Sequence, residues 1–174
     1  MKILIPMAGR GKRFEIAGYS FPKPLIDIDG KTMIQVIIEN LNFSAEHIFI
    51  CQKEHYKKYA LKDLLELVSP NCDIIQVDEV TDGAARTALL AKELINNDEE
   101  LIIANSDQWV NWNNQHFLSF MRNNNVDGGI VTFIATHPKW SFVKVNDEGE
   151  VTLIAEKKPI SNIATVGIYY FKKG

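Results

Sequence analysis

Three cations and two glycines stand together near the beginning of the chain, directly after a short apolar run. The cations are Arg10, Lys12 and Arg13, and the glycines are Gly9 and Gly11. Glycine lets backbone N–H groups turn toward an anion, and guanidinium groups bind phosphate oxygens in a bidentate fork. The segment is therefore suited to binding a polyphosphate. A turn with solvated charges remains the alternative, because the segment is neither a dinucleotide fingerprint nor a P-loop.

A further cation, Lys23, stands between Pro22 and Pro24. Prolines on both sides restrict the backbone, so that less entropy is lost when the ammonium group is aimed at a ligand. Lys23 is therefore a candidate partner for the same phosphates, and an exposed lysine in a proline-rich turn is the alternative.

One carboxylate, Asp107, follows an apolar run and the small polar residues Asn105 and Ser106. At the carboxyl end of a strand it could hold Mg²⁺, which usually takes one or two carboxylates together with substrate phosphates. A helix cap or an Asx turn is the commoner use of such a residue. The four histidines show no metal-ligand spacing, and no nucleophile stands beside a base. We therefore expect catalysis by positioning and electrostatics, as in nucleotidyl transfer.

The elements that must position these groups alternate between strand and helix through the first two thirds of the chain. Apolar runs predict strands at 3–6, 47–51, 74–77 and 101–104. Helical spacing predicts one helix capped by Thr32, one through Tyr56 to Leu67 and one capped by Asp82. Later strands are predicted at 130–134, 142–145, 151–155 and 166–171. This order predicts an α/β fold, a Rossmann-like, doubly wound, mostly parallel sheet with a mixed-sheet C-terminal extension.

In such a sheet, ligands bind outside the carboxyl ends of the strands. The loop after the first strand, the segment after the third and Asp107 after the fourth all lie on that edge. We therefore expect these three features to converge on one crevice.

Length and composition limit the classes of function. The 174 residues fit one domain, and 46% apolar with 24% charged residues is ordinary for a globular protein. A net charge of -3 argues against a general nucleic-acid binder and favours a small anionic ligand. The N-terminal apolar run ends at Pro6, too early for a signal peptide or a membrane span, and Cys51 and Cys72 form no metal cluster. We expect a cytoplasmic protein without a membrane or nucleic-acid partner.

Taken in order, these segments resemble the sugar-phosphate nucleotidyltransferases, which are pyrophosphorylase-type enzymes of the nucleotide-diphospho-sugar transferase fold. The resemblance runs nearly end to end and rests on residues 7–14, 22–25, 30–34, 82–86, 105–107, 156–157 and 164–167. It implies transfer of a nucleoside monophosphate from a nucleoside triphosphate to a phosphorylated sugar or similar acceptor, with release of pyrophosphate and with Mg²⁺ as cofactor. The first loop is similar to that of a capsule and lipopolysaccharide subgroup. The spacing of Gly83 and Arg86 is similar to cytidylyltransferases, which favours CTP, although a helix-surface role for Arg86 stays open.

The resemblance also implies roles for individual residues. Arg13 and Lys23 are the implied catalytic residues: Arg13 clamps the phosphates, and Lys23 contacts the α-phosphate and the incoming phosphate nucleophile. Asp107 is the implied Mg²⁺ ligand. The implied nucleotide-binding residues are Ala8, Gly9, Gly11, Lys12, Asp78 (or Glu79), Gly83, Ala84 and Arg86. The implied acceptor-binding residues are Ser106, Glu156, Lys157 and Gly167.

The chain departs from the family's pattern in length. Family members usually extend further and supply a second metal carboxylate from the later region, so we expect a nucleotidyltransferase domain over 1–174 that lacks this part. Two other functions stay open: a non-catalytic nucleotide-binding or regulatory domain, and a glycosyltransferase of the related fold. The latter normally shows an Asp-x-Asp pair, where this chain has Ser106, Asp107 and Gln108. The base, the acceptor and a homo-oligomeric state also stay open.

Overall fold

The main element of the fold is an eight-stranded sheet, seen in a computed structural model that describes residues 1–9 and 11–174 and, for residues 12 and 13, the backbone alone. Its strands are β1 (Lys2–Pro6), β4 (Glu46–Gln52), β5 (Asp73–Val77), β6 (Leu101–Ala104), β7 (Gly128–Ile134), β8 (Phe142–Val145), β9 (Val151–Ala155) and β10 (Ile163–Phe171). A separate hairpin consists of β2 (Asp27–Ile28) and β3 (Lys31–Thr32). The helices are α1 (Lys12–Ile16), α2 (Met33–Leu41), α3 (Lys53–Lys58), α4 (Leu61–Val68), α5 (Ala84–Leu89), α6 (Lys92–Ile95) and α7 (Asn114–Asn123).

The first four strands of the sheet are parallel and lie in the order β5-β4-β1-β6. Beyond β6, the sheet continues through β10, β8 and β9, with β7 also paired to β10, and all of these pairs are antiparallel. The predicted fold class is therefore confirmed. The carboxyl ends of β1 and β6 lie side by side, which brings the glycine-containing loop next to the segment that contains Asp107.

Helices cover both faces of the parallel part, which explains why its strands are continuous apolar runs. On β1, Ile3 and Ile5 pack in the same core layer as residues of α2 and α4. Leu4 points to the opposite face, where it packs in a second layer with Ala88 of α5. Within the described part of the chain, every helix falls short of the length and apolarity needed to cross a membrane.

β10 changes partners along one of its edges. This edge pairs with β6 at 168–171 and with β8 at Ala164, while the opposite edge pairs with β7. Between the two partners, the backbone N–H of Asn105 donates to the carbonyl of Gly167 (3.0 Å), and the N–H of Thr165 donates to the carbonyl of Ser141 (2.8 Å). The chain leaves the sheet after β6, at Asn105, and the segment that leads into β8 joins the sheet at Ser141. An opening remains above β10 between these two points.

Two helix predictions differ from the structure. The single helix expected through Tyr56 to Leu67 is instead α3 and α4, separated by Ala60 in the left-handed region (φ +47°). The Asp82 cap prediction is wrong as well, since Gly83 occupies the N-cap position of α5 with φ +129°. The predicted Thr32 cap of α2 is confirmed, because the Thr32 side chain accepts a hydrogen bond from the N–H of Gln35.

Candidate active site

The loop after β1 is fixed to the neighbouring strand by Gln52. The Gln52 side-chain amide donates to the carbonyls of Ala8 (2.9 Å) and Gly9 (3.2 Å). Gly11 has φ +60°, a conformation that favours glycine, and it lies beside Lys23, since a Cβ at this position would be 3.5 Å from the Lys23 Cβ. The backbone of the glycine-containing loop therefore lies directly against the lysine of the next segment.

Lys23 and Asp107 form an ion pair at the carboxyl ends of β1 and β6. Lys23 begins a 3₁₀ turn, Lys23–Leu25, which is preceded by Pro22. Its ammonium nitrogen also lies 5.8 Å from the ring centroid of Phe14. Only 22% of the Lys23 side chain and 23% of the Asp107 side chain are exposed, so solvent screens this pair less than a surface pair. The structure thus brings together two candidates that the sequence identified separately.

Two clefts adjoin at this ion pair, and Phe14 lines both of them. The smaller cleft, of about 250 Å³, is lined by Gly9, Gly11, Lys23 and Ser106, among others. Ser106, which the resemblance assigns to the acceptor, therefore lies with the loop residues assigned to the triphosphate.

The larger cleft, of about 460 Å³, occupies the opening above β10. Thr165, Gly167 and Tyr169 of β10 contribute to its lining, and Asp107 stands at its rim. The volume lies within the range of small-molecule sites, and hydroxyl and amide groups contribute to the lining.

Gly167 allows two amide side chains to approach the floor of this cleft. It has φ +93°, and a Cβ there would lie 2.1 Å from Asn105 Nδ2 and 2.6 Å from Gln108 Oε1. Asn105 and Gln108 both line the cleft, where their amides offer donors and acceptors suited to hydroxyl groups. Neither residue was predicted from the sequence to belong to the site. Their position close to Asp107 in the sequence is the signal that could have identified them.

Four of the predicted nucleotide-binding residues lie at the same sheet edge but outside both clefts: Asp78, Gly83, Ala84 and Arg86. Asp78 follows β5 and pairs with Lys53 (2.9 Å), and Arg86 in α5 pairs with Asp82 (3.0 Å). Gly83 and Ala84 stand at the exposed beginning of α5. Helix α5 packs against β1, the strand that precedes the glycine-containing loop.

Glu156 and Lys157, which the resemblance assigns to the acceptor, are not brought into the larger cleft. They follow β9 and pair with each other (3.0 Å), with 76% and 70% of their side chains exposed. Lys139, Trp140 and Ser141, which precede β8, line a wall of the larger cleft instead.

Arg10 and the side chains of Lys12 and Arg13 lie outside the described part of the chain. The roles assigned to Lys12 and Arg13 therefore stay predictions.

Asp107 is the one described carboxylate among the residues that line the two clefts, and a single carboxylate is compatible with a magnesium ion that arrives with a polyphosphate. Among the described residues, no group of three His, Cys, Asp or Glu side chains could hold a metal ion. Asp107 supplies one carboxylate, and Mg²⁺ commonly completes such a site with phosphate oxygens and water.

Comparison with known proteins identifies the relatives of this chain. The sequence model of the family described as "Nucleotidyl transferase" matches residues 2–174. The bifunctional protein GlmU of Methanocaldococcus jannaschii is 29% identical over 175 residues, which are 99% of this chain and 40% of that protein. The mannose-1-phosphate guanylyltransferase catalytic subunit beta of Dictyostelium discoideum is 27% identical over 98% of this chain and 49% of that protein. The chain therefore spans less than half the length of these two relatives.

Solved structures show the same architecture. The nucleoside-diphosphate-sugar pyrophosphorylase from Vibrio cholerae RC9 superposes with a TM-score of 0.78 at 25% identity, over 98% of this chain and 73% of that one. The inositol-1-phosphate CTP transferase from T. maritima has the same fold, with a TM-score of 0.78 at 16% identity over 98% of this chain and 69% of that one.

Proposed function

The chain belongs to the nucleotidyl transferase family, and from this we propose that it transfers a nucleoside monophosphate from a nucleoside triphosphate to a phosphorylated sugar or a similar acceptor, releasing pyrophosphate. The observation that carries the proposal is the Lys23–Asp107 ion pair, which stands where two clefts meet. The triphosphate occupies the smaller cleft beside the glycine-containing loop, and the acceptor occupies the larger one.

The reaction joins two anions across this junction. A phosphate oxygen of the acceptor attacks the α-phosphorus in line, and the bond from that phosphorus to the oxygen of the leaving pyrophosphate breaks. Lys23 donates hydrogen bonds to the α-phosphate and to the acceptor phosphate, while Arg13 clamps the triphosphate. These contacts hold the reacting atoms close together and offset their repulsion.

Asp107 is the residue that would hold Mg²⁺, which neutralises negative charge on the phosphates when bound. In the structure, Lys23 and Asp107 are each other's partners. With the triphosphate bound, Lys23 would pair with a phosphate, and Asp107 would be free to hold the cation. Each charge would then keep a partner, so that neither partly shielded side chain would be left uncompensated.

We propose CTP as the triphosphate, with Asp78, Gly83 and Ala84 near the base. The spacing of Gly83 and Arg86 supports this choice. The ion pair of Arg86 with Asp82 is exposed, and such pairs contribute only about 0–1 kcal/mol, so Arg86 can leave it for a phosphate at little cost. The form of the first loop supports a role in capsule or lipopolysaccharide precursor synthesis. The two free cysteines accord with action in the cytoplasm.

The proposal is tested by incubating the protein with Mg²⁺, each nucleoside triphosphate in turn and a panel of hexose, heptose and polyol phosphates that includes mannose 1-phosphate. Pyrophosphate release is measured with and without the acceptor. We expect release that depends on the acceptor and is fastest with CTP. Triphosphate binding without release would indicate a regulatory domain instead, and transfer of sugar from a nucleotide sugar would indicate a glycosyltransferase.

A further inference from the structure

One wall of the larger cleft has no role in the proposed function. It is formed by Lys139, Trp140 and Ser141, which precede β8. The ammonium nitrogen of Lys139 lies 4.6 Å from the Trp140 ring centroid. The ring of Phe133 meets Trp140 at 89° with a centroid distance of 5.1 Å. Trp140 therefore contacts both Phe133 and the ammonium group of Lys139 at the cleft wall.

The backbone of this wall is also held in place. His137 accepts the N–H of Lys139 on its Nδ1 (3.1 Å), and its carbonyl accepts the N–H of Trp140 (3.2 Å). The carbonyl of Ser141 accepts the N–H of Thr165 in β10. Lys139 therefore extends from a turn that is tied to the floor of the cleft.

The two walls of the cleft are close enough for one small ligand to contact both. Asn105 and Ser141 bond to β10 at Gly167 and Thr165, which are two residues apart. Two residues of strand span about 7 Å. A phosphate bound near Asp107 and Lys23 on one wall is therefore within reach of a lysine side chain that extends from the other.

The charge of Lys139 is available for an anionic ligand. Among the described residues, no carboxylate forms an ion pair with Lys139. Asp107, the one carboxylate that lines the cleft, is paired with Lys23. Lys157, in contrast, is paired with Glu156 outside the cleft. The aromatic ring beside Lys139 orients the ammonium group without neutralising it.

We propose that Lys139 binds the phosphate of the acceptor, and that Trp140 and Phe133 are positioning residues that hold Lys139 in place. Lys23, at the junction with the smaller cleft, and Lys139, on the wall of the larger cleft, then contact the same phosphate. The amides of Asn105 and Gln108 face the acceptor's hydroxyl groups. The inference rests on the proposed function for the identity of the larger cleft. It names the acceptor class as a small polyhydroxylated phosphate monoester.

The test is a binding measurement without triphosphate, so that it does not depend on turnover. Isothermal titration compares mannose 1-phosphate, inorganic phosphate and mannose, each up to about 10 mM, a range that reaches weak ligands. We expect the wild type to prefer the phosphate-bearing compounds, and Lys139→Ala to weaken their binding about tenfold, which corresponds to one charged hydrogen bond. Lys139→Arg keeps the preference. Trp140→Leu weakens it, whereas Trp140→Phe retains most of it because a ring remains beside the lysine.

Lys144→Ala is the matched control, since Lys144 is an exposed lysine of the adjacent β8 outside both clefts. It should bind as the wild type does. The inference is wrong if Lys139→Ala keeps the phosphate preference, if Lys157→Ala loses it instead, or if the wild type binds none of the phosphates. Phosphate binding through Lys139 without any pyrophosphate release would contradict the proposed reaction but not this inference. Normal release with an unchanged acceptor KM in Lys139→Ala would contradict this inference alone.

Discussion

In the proposed reaction, Lys23 contacts both the α-phosphate and the acceptor phosphate. We expect Lys23→Ala to lower the turnover number about a hundred- to thousandfold, because removal of one preorganised donor typically costs about 2.7–4 kcal/mol in the transition state. The fold should survive, since the ion pair with Asp107 lies at the rim of the clefts. The rate of pyrophosphate release and the melting temperature measure the two effects.

Lys62→Ala provides the matched control for this variant. It also removes a lysine that is paired with a carboxylate, Glu66, but on the exposed surface of α4 (3.7 Å). Its turnover should equal that of the wild type. Near-normal turnover of the Lys23 variant would contradict the role assigned to Lys23.

His47 makes the stability of the fold depend on pH. The side chain is buried on β4, its Nδ1 lies 2.9 Å from the hydroxyl of Ser69, and burial lowers the pKa of His47 below its usual 6.5. The unfolded chain therefore binds this proton at a higher pH than the folded chain does. His47 thus lowers the free energy of unfolding as the pH falls below about 6.5.

We expect the free energy of unfolding to fall more steeply from pH 7.5 to 5.5 in the wild type than in His47→Gln. Urea titrations at several pH values measure both slopes. His116→Gln, which changes an exposed histidine of α7, should keep the wild-type slope. If His47→Gln and the wild type have the same slope, this account of His47 is wrong.

Residue types alone pointed to Lys23 and Asp107, because a lysine held by prolines and a carboxylate after a strand are local patterns. Their contact could not be predicted from either pattern, since it depends on β1 and β6 lying side by side. The cleft wall formed by Lys139, Trp140 and Ser141 was not predicted for a related reason. Phe133, whose ring packs against Trp140, belongs to β7, and the turn between β7 and Lys139 gives no periodic signal.

At the scale of elements, α2 is joined to the segment after Asp107 by the side chain of Asn40. Asn40 Nδ2 donates to the carbonyl of Val110 (2.8 Å), and the N–H of Val110 donates to Asn40 Oδ1 (2.9 Å). Asn40→Ala leaves the part-buried backbone N–H and carbonyl of Val110 without their hydrogen-bond partners. This loss should cost about 1–3 kcal/mol of stability. The free energy of unfolding in urea measures the loss.

Gln35→Ala is the control within the same helix. Its side-chain amide donates to Glu39 on the exposed surface (3.0 Å), and its backbone N–H still bonds to Thr32. We expect a change within about 0.5 kcal/mol. Equal losses in the two variants would mean that Asn40 does not hold the segment.

Strands β1, β4 and β6 were predictable because their apolar runs directly reflect burial on both faces. Three helical features were not predictable. The break between α3 and α4 is made by Ala60, and an alanine gives no local sign of a left-handed conformation. Helix α7 was not predicted, because only Leu118 and Met121 are buried along it. Asp82 looked like a cap but stands one residue before the true N-cap, Gly83.

At the scale of the whole molecule, Gly167 lies where the parallel and antiparallel parts of the sheet meet. Gly167→Ala places a methyl group in a left-handed conformation and against the amides of Asn105 and Gln108. The backbone strain should cost about 1–2 kcal/mol, and the crowding adds about 1–3 kcal/mol unless the two amides move away. Movement of the amides should raise the acceptor KM. Urea unfolding and acceptor titrations measure the two effects.

Gly149→Ala isolates the strain. Gly149 also has a positive φ (+83°), but a Cβ there would meet nothing within 4 Å. We expect this variant to lose stability through strain alone and to keep the wild-type acceptor KM. If the two variants lose equal stability and the acceptor KM stays unchanged in both, Gly167 is not needed for the close approach of the amides.

Strand β10 carries the floor of the larger cleft within a hydrogen-bonded ladder, whereas Lys139, Trp140 and Ser141 form a wall at the end of the surface turn 135–141. The floor and the wall can therefore vary independently. Any change in the register of β10 would disturb three neighbouring strands at once. A grafted turn at 135–141 would leave that register untouched and offer the incoming molecule a different surface. Under the proposed function, a different acceptor preference would therefore need only the exchange of a short turn, with every strand of the sheet left in place.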